Sequence, residues 1–207
     1  MLTDIGNKYG TAKNTHVTFG HTLLDLYEPL FERFKGAFIN ILEIGVLDGA
    51  SLRTWEEYFP NAKIYGFDID RNALNLFFHD KNQIDVILGD QSKEKDLKYL
   101  IDKINGNIDI IIDDGSHVNK YTLKSFEYLW PHLNSGGIYL IEDTICTYDK
   151  VDMEWPGMNG NRKNMNVRNN RKDIDKFLLN NIMNMDLGEA DIFSIQIYRN
   201  VIIFTKG

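Results

Sequence analysis

Cysteine is all but missing from this chain: Cys146 stands alone, so no internal disulfide can form. Residues 1–20 lack the charged start, apolar run and small-residue cleavage site of a secretory signal, and the expectation is a cytoplasmic protein. No apolar run approaches the roughly 20 residues needed to cross a bilayer, which argues against a membrane partner. Positive charge is also short, with 23 Lys and Arg against 30 Asp and Glu and a net charge of -7. Broad binding to a nucleic-acid backbone needs the opposite balance, so nucleic acid is not an expected partner. Repeats, low-complexity tracts and linkers are absent too. The 207 residues, 43% of them hydrophobic, suit a single domain over 1–207 with one sizeable core.

What is present is organised around Ile41 to Gly49, the run ILEIGVLDG. A short apolar run bounded by Gly reads as a buried parallel strand, and its glycines let the backbone turn sharply and approach a ligand before the next helix. Glu43 lies inside the run, and a buried carboxylate without a partner is costly, so a partner is expected nearby.

Residues 1–20 mix Gly, Asn, Thr and Lys without clear periodicity and are expected to form a flap, as loop or short helix. His21 to Phe34 has helical spacing, kinked or split by Pro29. After Gly49 the pattern predicts a helix over Ser51 to Tyr58, a strand over Lys63 to Phe67, a helical piece over Ala73 to Phe78 and a strand over Asp85 to Leu88. It continues with a helix over Lys93 to Ile104, a strand over Ile108 to Ile112 and a helix over Tyr121 to Leu133. A turn at Ser135-Gly136-Gly137 then leads to a strand over Ile138 to Ile141. Tyr148 to Asn170 reads as a long irregular lid insertion. The helix Asp173 to Met183 follows, then strands Ile192 to Tyr198 and Val201 to Thr205, joined at Arg199-Asn200 as an antiparallel hairpin. The expected fold is therefore α/β: a doubly wound, mostly parallel, seven-stranded Rossmann-like sheet with a C-terminal antiparallel hairpin. Its ligand belongs outside the carboxyl ends of the strands, where each strand ends in polar residues.

A dinucleotide site would show G-x-G-x-x-G, but Gly45 and Gly49 are separated by three residues and the middle Gly is missing. A cofactor without phosphates, with a cationic amino-acid part and a ribose for Asp68, fits better, and S-adenosylmethionine is such a cofactor. In this order the motifs E-I-G-V-L-D-G, Y-G-F-D and G-D-Q resemble those of class I S-adenosylmethionine-dependent methyltransferases. D-D-G-S-H at Asp113 to His117, I-E-D at Ile141 to Asp143, K-Y-G-T-A-K at Lys8 to Lys13 and W-P-G at Trp155 to Gly157 are similar to the metal-dependent macrolide-sugar O-methyltransferases of the mycinamicin and tylosin pathways. Ala12 departs from that group's usual K-Y-G-T-D-K.

The resemblance implies that Gly45 and Gly49 lie along the methionine part of the cofactor, with Glu43 and Asp113 in the same cofactor set. It implies that Asp68 holds the ribose, that Asp90 and Gln91 border the adenine, and that Asp114, Glu142 and Asp143 ligate a metal beside the base His117. Neighbouring strands lie about 4.8 Å apart, so carboxylates ending strands four and five can meet around one ion. Three carboxylates and no sulfur suit a hard divalent cation, Mg²⁺ first, with Ca²⁺ or Mn²⁺ compatible. Helix capping and a solvated loop are the structural alternatives for Asp114, Glu142 and Asp143.

The expected reaction is methyl transfer to a sugar hydroxyl of a small-molecule acceptor. Its alternatives are metal-independent N-methylation of a small amine and a non-catalytic cofactor scaffold; an iron oxygenase would need a second well-placed His. Asn161 to Lys172 carries Arg162, Lys163, Arg168, Arg171 and Lys172 and no acid, which suggests a phosphorylated or nucleotide-linked sugar, against the alternative of a solvated basic loop. Oligomeric state is left open.

Overall fold

The computed structural model describes residues 1–14, 20–79, 82–105, 107–148 and 169–207. Among these residues seven strands form one sheet in the order β3-β2-β1-β4-β5-β7-β6. The strands are β1 (Asn40–Ile44), β2 (Lys63–Asp68), β3 (Ile84–Leu88), β4 (Ile108–Asp113), β5 (Leu133–Glu142), β6 (Ile192–Tyr198) and β7 (Val201–Lys206). The first five run parallel, whereas β7 is antiparallel to both β5 and β6. The expected doubly wound sheet with its terminal hairpin is what forms, and no helix among the described residues is long and apolar enough to cross a membrane.

Both faces of the sheet are covered, which is why the central strands read as unbroken apolar runs rather than alternating ones. On one face Ile41, Ile64, Ile110, Ile112 and Leu140 meet Leu2 of α1 (Leu2–Tyr9), Leu24, Tyr27 and Phe31 of α2 (Leu23–Phe31) and Trp55 of α3 (Ala50–Tyr58). On the other, Leu42, Phe67, Ile111, Tyr139 and Phe204 meet Leu97 and Leu100 of α4 (Glu94–Ile104), Phe126 of α5 (Asn119–Leu129) and Ile174 and Leu178 of α6 (Arg171–Asp186).

Local chemistry explains where elements start and stop. Thr22 and Asp25 form a reciprocal cap on α2. Pro29 lies inside that helix without breaking it, but the chain tightens into a 3₁₀ turn over Glu32–Phe34 directly afterwards. The N-terminal flap is helical: α1 ends at Gly10 in the left-handed region, and a 3₁₀ turn over Ala12–Asn14 follows.

Three expected boundaries are corrected. The helical piece at Ala73–Phe78 is instead a 3₁₀ turn over Arg71–Asn75, because Asp70 caps it by accepting from Asn72 N and two asparagines weaken any longer helix. The helix expected to reach Leu133 stops at Leu129, and Pro131 sits in a short 3₁₀ turn, Trp130–His132. Ser135-Gly136-Gly137 lies within β5, where β4 pairs Ile108 with Leu133 and Ile110 with Ile138. The extra residues on β5 form a bulge, with Gly136 at φ 74°.

Candidate active site

The carboxyl ends of β1, β2, β4 and β5 present the predicted residues along one edge. The β1 turn is the best-braced part of it. Gly45 adopts φ 89°, and a Cβ there would stand 2.2 Å from the Asp114 carbonyl oxygen. The close approach expected of this glycine is therefore, in the structure, to the backbone at the end of β4, so the cofactor turn and the D-D-G-S-H loop are packed directly together. Gly49, at φ 74°, is the N-cap of α3. From the end of β2, Asp68 Oδ2 accepts from Val46 N at 2.6 Å and Leu47 N at 3.3 Å, while Oδ1 accepts from Asp70 N at 2.8 Å. A cavity of about 300 Å³ lies beyond the ends of β2 and β3, lined by Ile69, Arg71, Leu88, Gly89, Asp90 and Lys93.

Three residues expected along the cofactor point inward. Glu43 is 1% exposed; its Oε2 accepts from Trp55 Nε1 at 2.7 Å and its Oε1 lies 3.1 Å from the Lys13 ammonium. Trp55 and Lys13 thus give this buried acid one hydrogen bond and one ion pair within the fold. Asp113 Oδ1 accepts from Gln91 Nε2 at 3.2 Å and Oδ2 from Tyr139 Oη at 3.3 Å. Gln91 also donates to Ser125 Oγ at 3.0 Å and accepts from Ser116 N at 2.5 Å. Gln91 and Asp113 thus brace the D-D-G-S-H loop from behind. Burial pushes the Asp113 carboxyl up to about 7 against the hydrogen bonds it accepts.

At the ends of β4 and β5, donor atoms of Asp114, His117 and Asp143 all lie within 4.8 Å of one another. His117 Nε2 is 3.6 Å from Asp143 Oδ2. Both residues are held in the left-handed region, at φ 52° and 54°, a strained conformation for residues other than Gly. Two asparagines hold them there. Asn200, in the β6–β7 turn, donates to Asp143 Oδ1 at 2.7 Å. Asn169 donates to the carbonyls of His117 and Cys146, both at 2.7 Å, and accepts from Asn119 N at 2.9 Å, tying the two loops together.

Glu142 falls outside that trio. Both of its oxygens accept from Lys13 Nζ at 2.9 Å, and the same ammonium reaches Asp114 Oδ2 at 2.8 Å. Burial raises the Glu142 carboxyl above its ordinary range, with Lys13 opposing and Asp114 adding to the rise. Lys13 is held well above the usual lysine range by Asp114, Glu142 and Glu43, although burial works the other way. Lys13, Asn169 and Asn200 went unassigned at the sequence level. For Lys13 the one available signal was the buried acid Glu43, whose expected partner had no residue assigned to it.

Trp155 to Gly157 and the basic residues Arg162, Lys163 and Arg168, with most of the expected lid, lie outside the described residues. Of the basic run, Arg171 donates to Asp175 at 2.8 Å and Thr147 Oγ1 at 2.9 Å, so its guanidinium is used within the fold. His79 packs in tilted and edge-on contact with Tyr9 and Phe77 and His132 in tilted contact with Tyr128, while His16 is outside the described residues.

A family model described as a methyltransferase domain matches residues 42–144, the span that contains every strand-end motif above. The chain belongs to this methyltransferase family. A mycinamicin VI 2''-O-methyltransferase of Micromonospora griseorubida is 31% identical over 100% of this chain and 52% of its own length. A tetracenomycin-C rhamnosyl 2'-O-methyltransferase of Streptomyces olivaceus is 36% identical over 68% of this chain and 36% of its own length. Among solved structures, the mycinamycin-pathway methyltransferase MycE in complex with Mg, SAH and mycinamycin VI superposes with a TM-score of 0.75 at 32% identity. That superposition covers 100% of this chain and 54% of MycE. The chain thus spans about half the length, or less, of these methyltransferase relatives.

Proposed function

We propose that this chain is an S-adenosylmethionine-dependent, divalent-metal-dependent O-methyltransferase, acting on a sugar hydroxyl of a small glycosylated acceptor. The observation that carries the reading is the meeting of Asp114, His117 and Asp143 donor atoms within 4.8 Å, directly beside the Gly45 turn. The donor chemistry fits a hard divalent cation. Glu43, Asp114 and Glu142 share the Lys13 ammonium and Asp143 stands beside them, so among the described residues carboxyl groups outnumber cations at this edge and a second cation would offset the excess. The relatives are named for mycinamicin VI and a rhamnosyl tetracenomycin-C, which favours a glycosylated acceptor without phosphate or nucleotide, and in the described part of the basic run Arg171 is already used by Asp175.

When bound, S-adenosylmethionine supplies the methyl group on a sulfonium, and the divalent ion lowers the pKa of a hydroxyl held against it. The chain's own residues do the rest. Asp68 fixes the β1 turn through Val46 N and Leu47 N, so the turn needs no rearrangement to receive the cofactor. Asp90 and Gly89, which line the cavity beyond β2 and β3, would hold the nucleobase. A nitrogen that ligates an ion cannot also accept a proton, so His117 can fill only one role; hard cations prefer oxygen, which leaves Asp114 and Asp143 to the ion and His117 Nε2 to the proton. Glu142 supplies charge to the same edge through Lys13.

The test is to incubate the purified chain with S-adenosylmethionine and a panel of neutral glycosides, sugar nucleotides and small amines, reading methyl gain by mass. Transfer to a glycoside that stops in chelator and returns with Mg²⁺ is expected. Undiminished transfer in chelator would favour the metal-independent N-methyltransferase, and binding of cofactor without transfer to any acceptor would favour a scaffold.

A further inference from the structure

Lys13 has no part in the reaction just described, yet it is 3% exposed and sits at the centre of the charge. Its ammonium lies 2.8 Å from Asp114 Oδ2, 2.9 Å from both Glu142 oxygens and 3.1 Å from Glu43 Oε1. Those acids come from the ends or interiors of β1, β4 and β5, while the lysine comes from the 3₁₀ turn after α1. Lysine is almost never this buried without a partner, and one carboxylate would suffice for pairing. Here three surround a compact point charge carrying three donors, the coordination expected of a small cation among hard oxygens.

We propose that Lys13 is a resident cation of the active-site edge: it balances Glu43, Asp114 and Glu142 so that the fold stands without a divalent ion, and its charge weakens the grip of the neighbouring donors on that ion. The second half rests on the metal-dependent reading above. Asp114 links the two positions, because Oδ2 contacts Lys13 and the same carboxylate belongs to the trio with His117 and Asp143. Two cations sharing one carboxylate repel across a few ångströms of protein interior, and at that range the Coulomb term outweighs the benefit of fixing one side chain's rotamer. Removing the lysine's charge should therefore tighten ion binding rather than loosen it.

Lys13→Met keeps most of the apolar stem and removes the charge. In chelator its thermal midpoint should fall by about 5 °C or more, and millimolar Mn²⁺ should restore most of that loss, whereas the wild type should move far less between the two conditions. Calorimetry should show Mn²⁺ bound on the order of tenfold more tightly than by the wild type. An equal loss with and without Mn²⁺, or Mn²⁺ affinity unchanged or weaker, overturns the proposal. Adding Glu43→Gln, an acid outside the trio, should raise the chelator midpoint above that of Lys13→Met alone; a midpoint at or below it assigns Lys13 a packing role and overturns the proposal. If Lys13→Met does not fold in chelator, the double variant makes the same decision. Failure of the wild type to bind Mn²⁺ would sink the metal-dependent reading instead, and the chelator comparison of the two variants would still decide whether Lys13 balances the carboxylates.

Discussion

The turn after β1 and the ends of β4 and β5 lie side by side on one sheet edge but are completed in opposite ways. At the turn, the charge of Asp68 is met by three backbone N–H groups of the same edge, a local arrangement that asks nothing of distant residues. At the β4 and β5 ends, carboxylates outnumber positive charge among the described residues, and the ammonium that Asp114 and Glu142 share arrives from residue 13, 101 positions before Asp114. Backbone donors can finish a cofactor seat, because a neutral turn supplies them wherever the chain bends. They cannot neutralise several buried carboxylates, so the other part of the edge depends on cations.

The difference is most exposed by removing charge from the trio. Asp114→Asn and Asp143→Asn are expected to abolish chelator-sensitive turnover while calorimetry still registers S-adenosylmethionine, because the β1 turn keeps its own braces. His117→Ala should lower turnover by about 10² to 10⁴. Loss of cofactor binding in the aspartate variants would show that the two parts are not separately built. Gly45→Val tests the one place where they touch. A Cβ there collides with the Asp114 carbonyl, and φ 89° is unfavourable for valine, so both cofactor affinity and thermal stability should fall. At the sequence level this turn is expected to approach a ligand; in the structure its closest approach is to the Asp114 backbone.

How much of this edge was legible follows from how local each feature is. Strands, the hairpin and the acids at strand ends could be read because apolar runs and turn residues act over a few positions. Asp114 and Asp143 could be read because their strands are neighbours in a parallel sheet. The inward turn of Glu43, Gln91 and Asp113 could not, since a side chain at a strand end can face the core or the ligand and spacing alone does not decide between them. Lys13 and Asn169 act across long stretches of chain, and only the folded arrangement brings their donors to the acids and carbonyls they serve. The 3₁₀ turns at Arg71–Asn75 and Trp130–His132 were missed for a smaller reason, a short pattern that fits either helix type.

A pH series sharpens the contrast further. Burial raises the Asp113 carboxyl to about 7 in the fold, above its ordinary value of 3.8. A folded pKa above the unfolded one means that the folded state holds the proton more tightly. The associated stability is fully present below the unfolded value and is lost as pH rises through the folded one. Thermal midpoints of the wild type should therefore decline between about pH 4 and pH 7 from this group, and Asp113→Asn should flatten that decline. An unchanged slope in the variant would place the titration elsewhere.

The smallest expected effect concerns the cofactor part, where Leu47 is strained without an obvious structural return. It adopts φ 52° and is 83% exposed, so its side chain packs on little of the fold. Of the other left-handed non-glycine positions among the described residues, the two outside the trio carry asparagine, Asn105 with φ 62° and Asn200 with φ 71°. Asparagine is enriched in this region because its short polar side chain bonds locally. The backbone N–H of Leu47 that reaches Asp68 survives the change to asparagine, so the turn keeps its brace. Leu47→Asn should then raise stability by about 0.5 to 1 kcal/mol, the lower end of the cost of such strain. If the exposed leucine is retained to cover the cofactor, calorimetry should show S-adenosylmethionine binding a few-fold weaker in the same variant. A variant that gains stability at no cost in cofactor affinity would leave Leu47 without a role in the site, and one that loses stability would mean that the turn's conformation is set by the leucine after all.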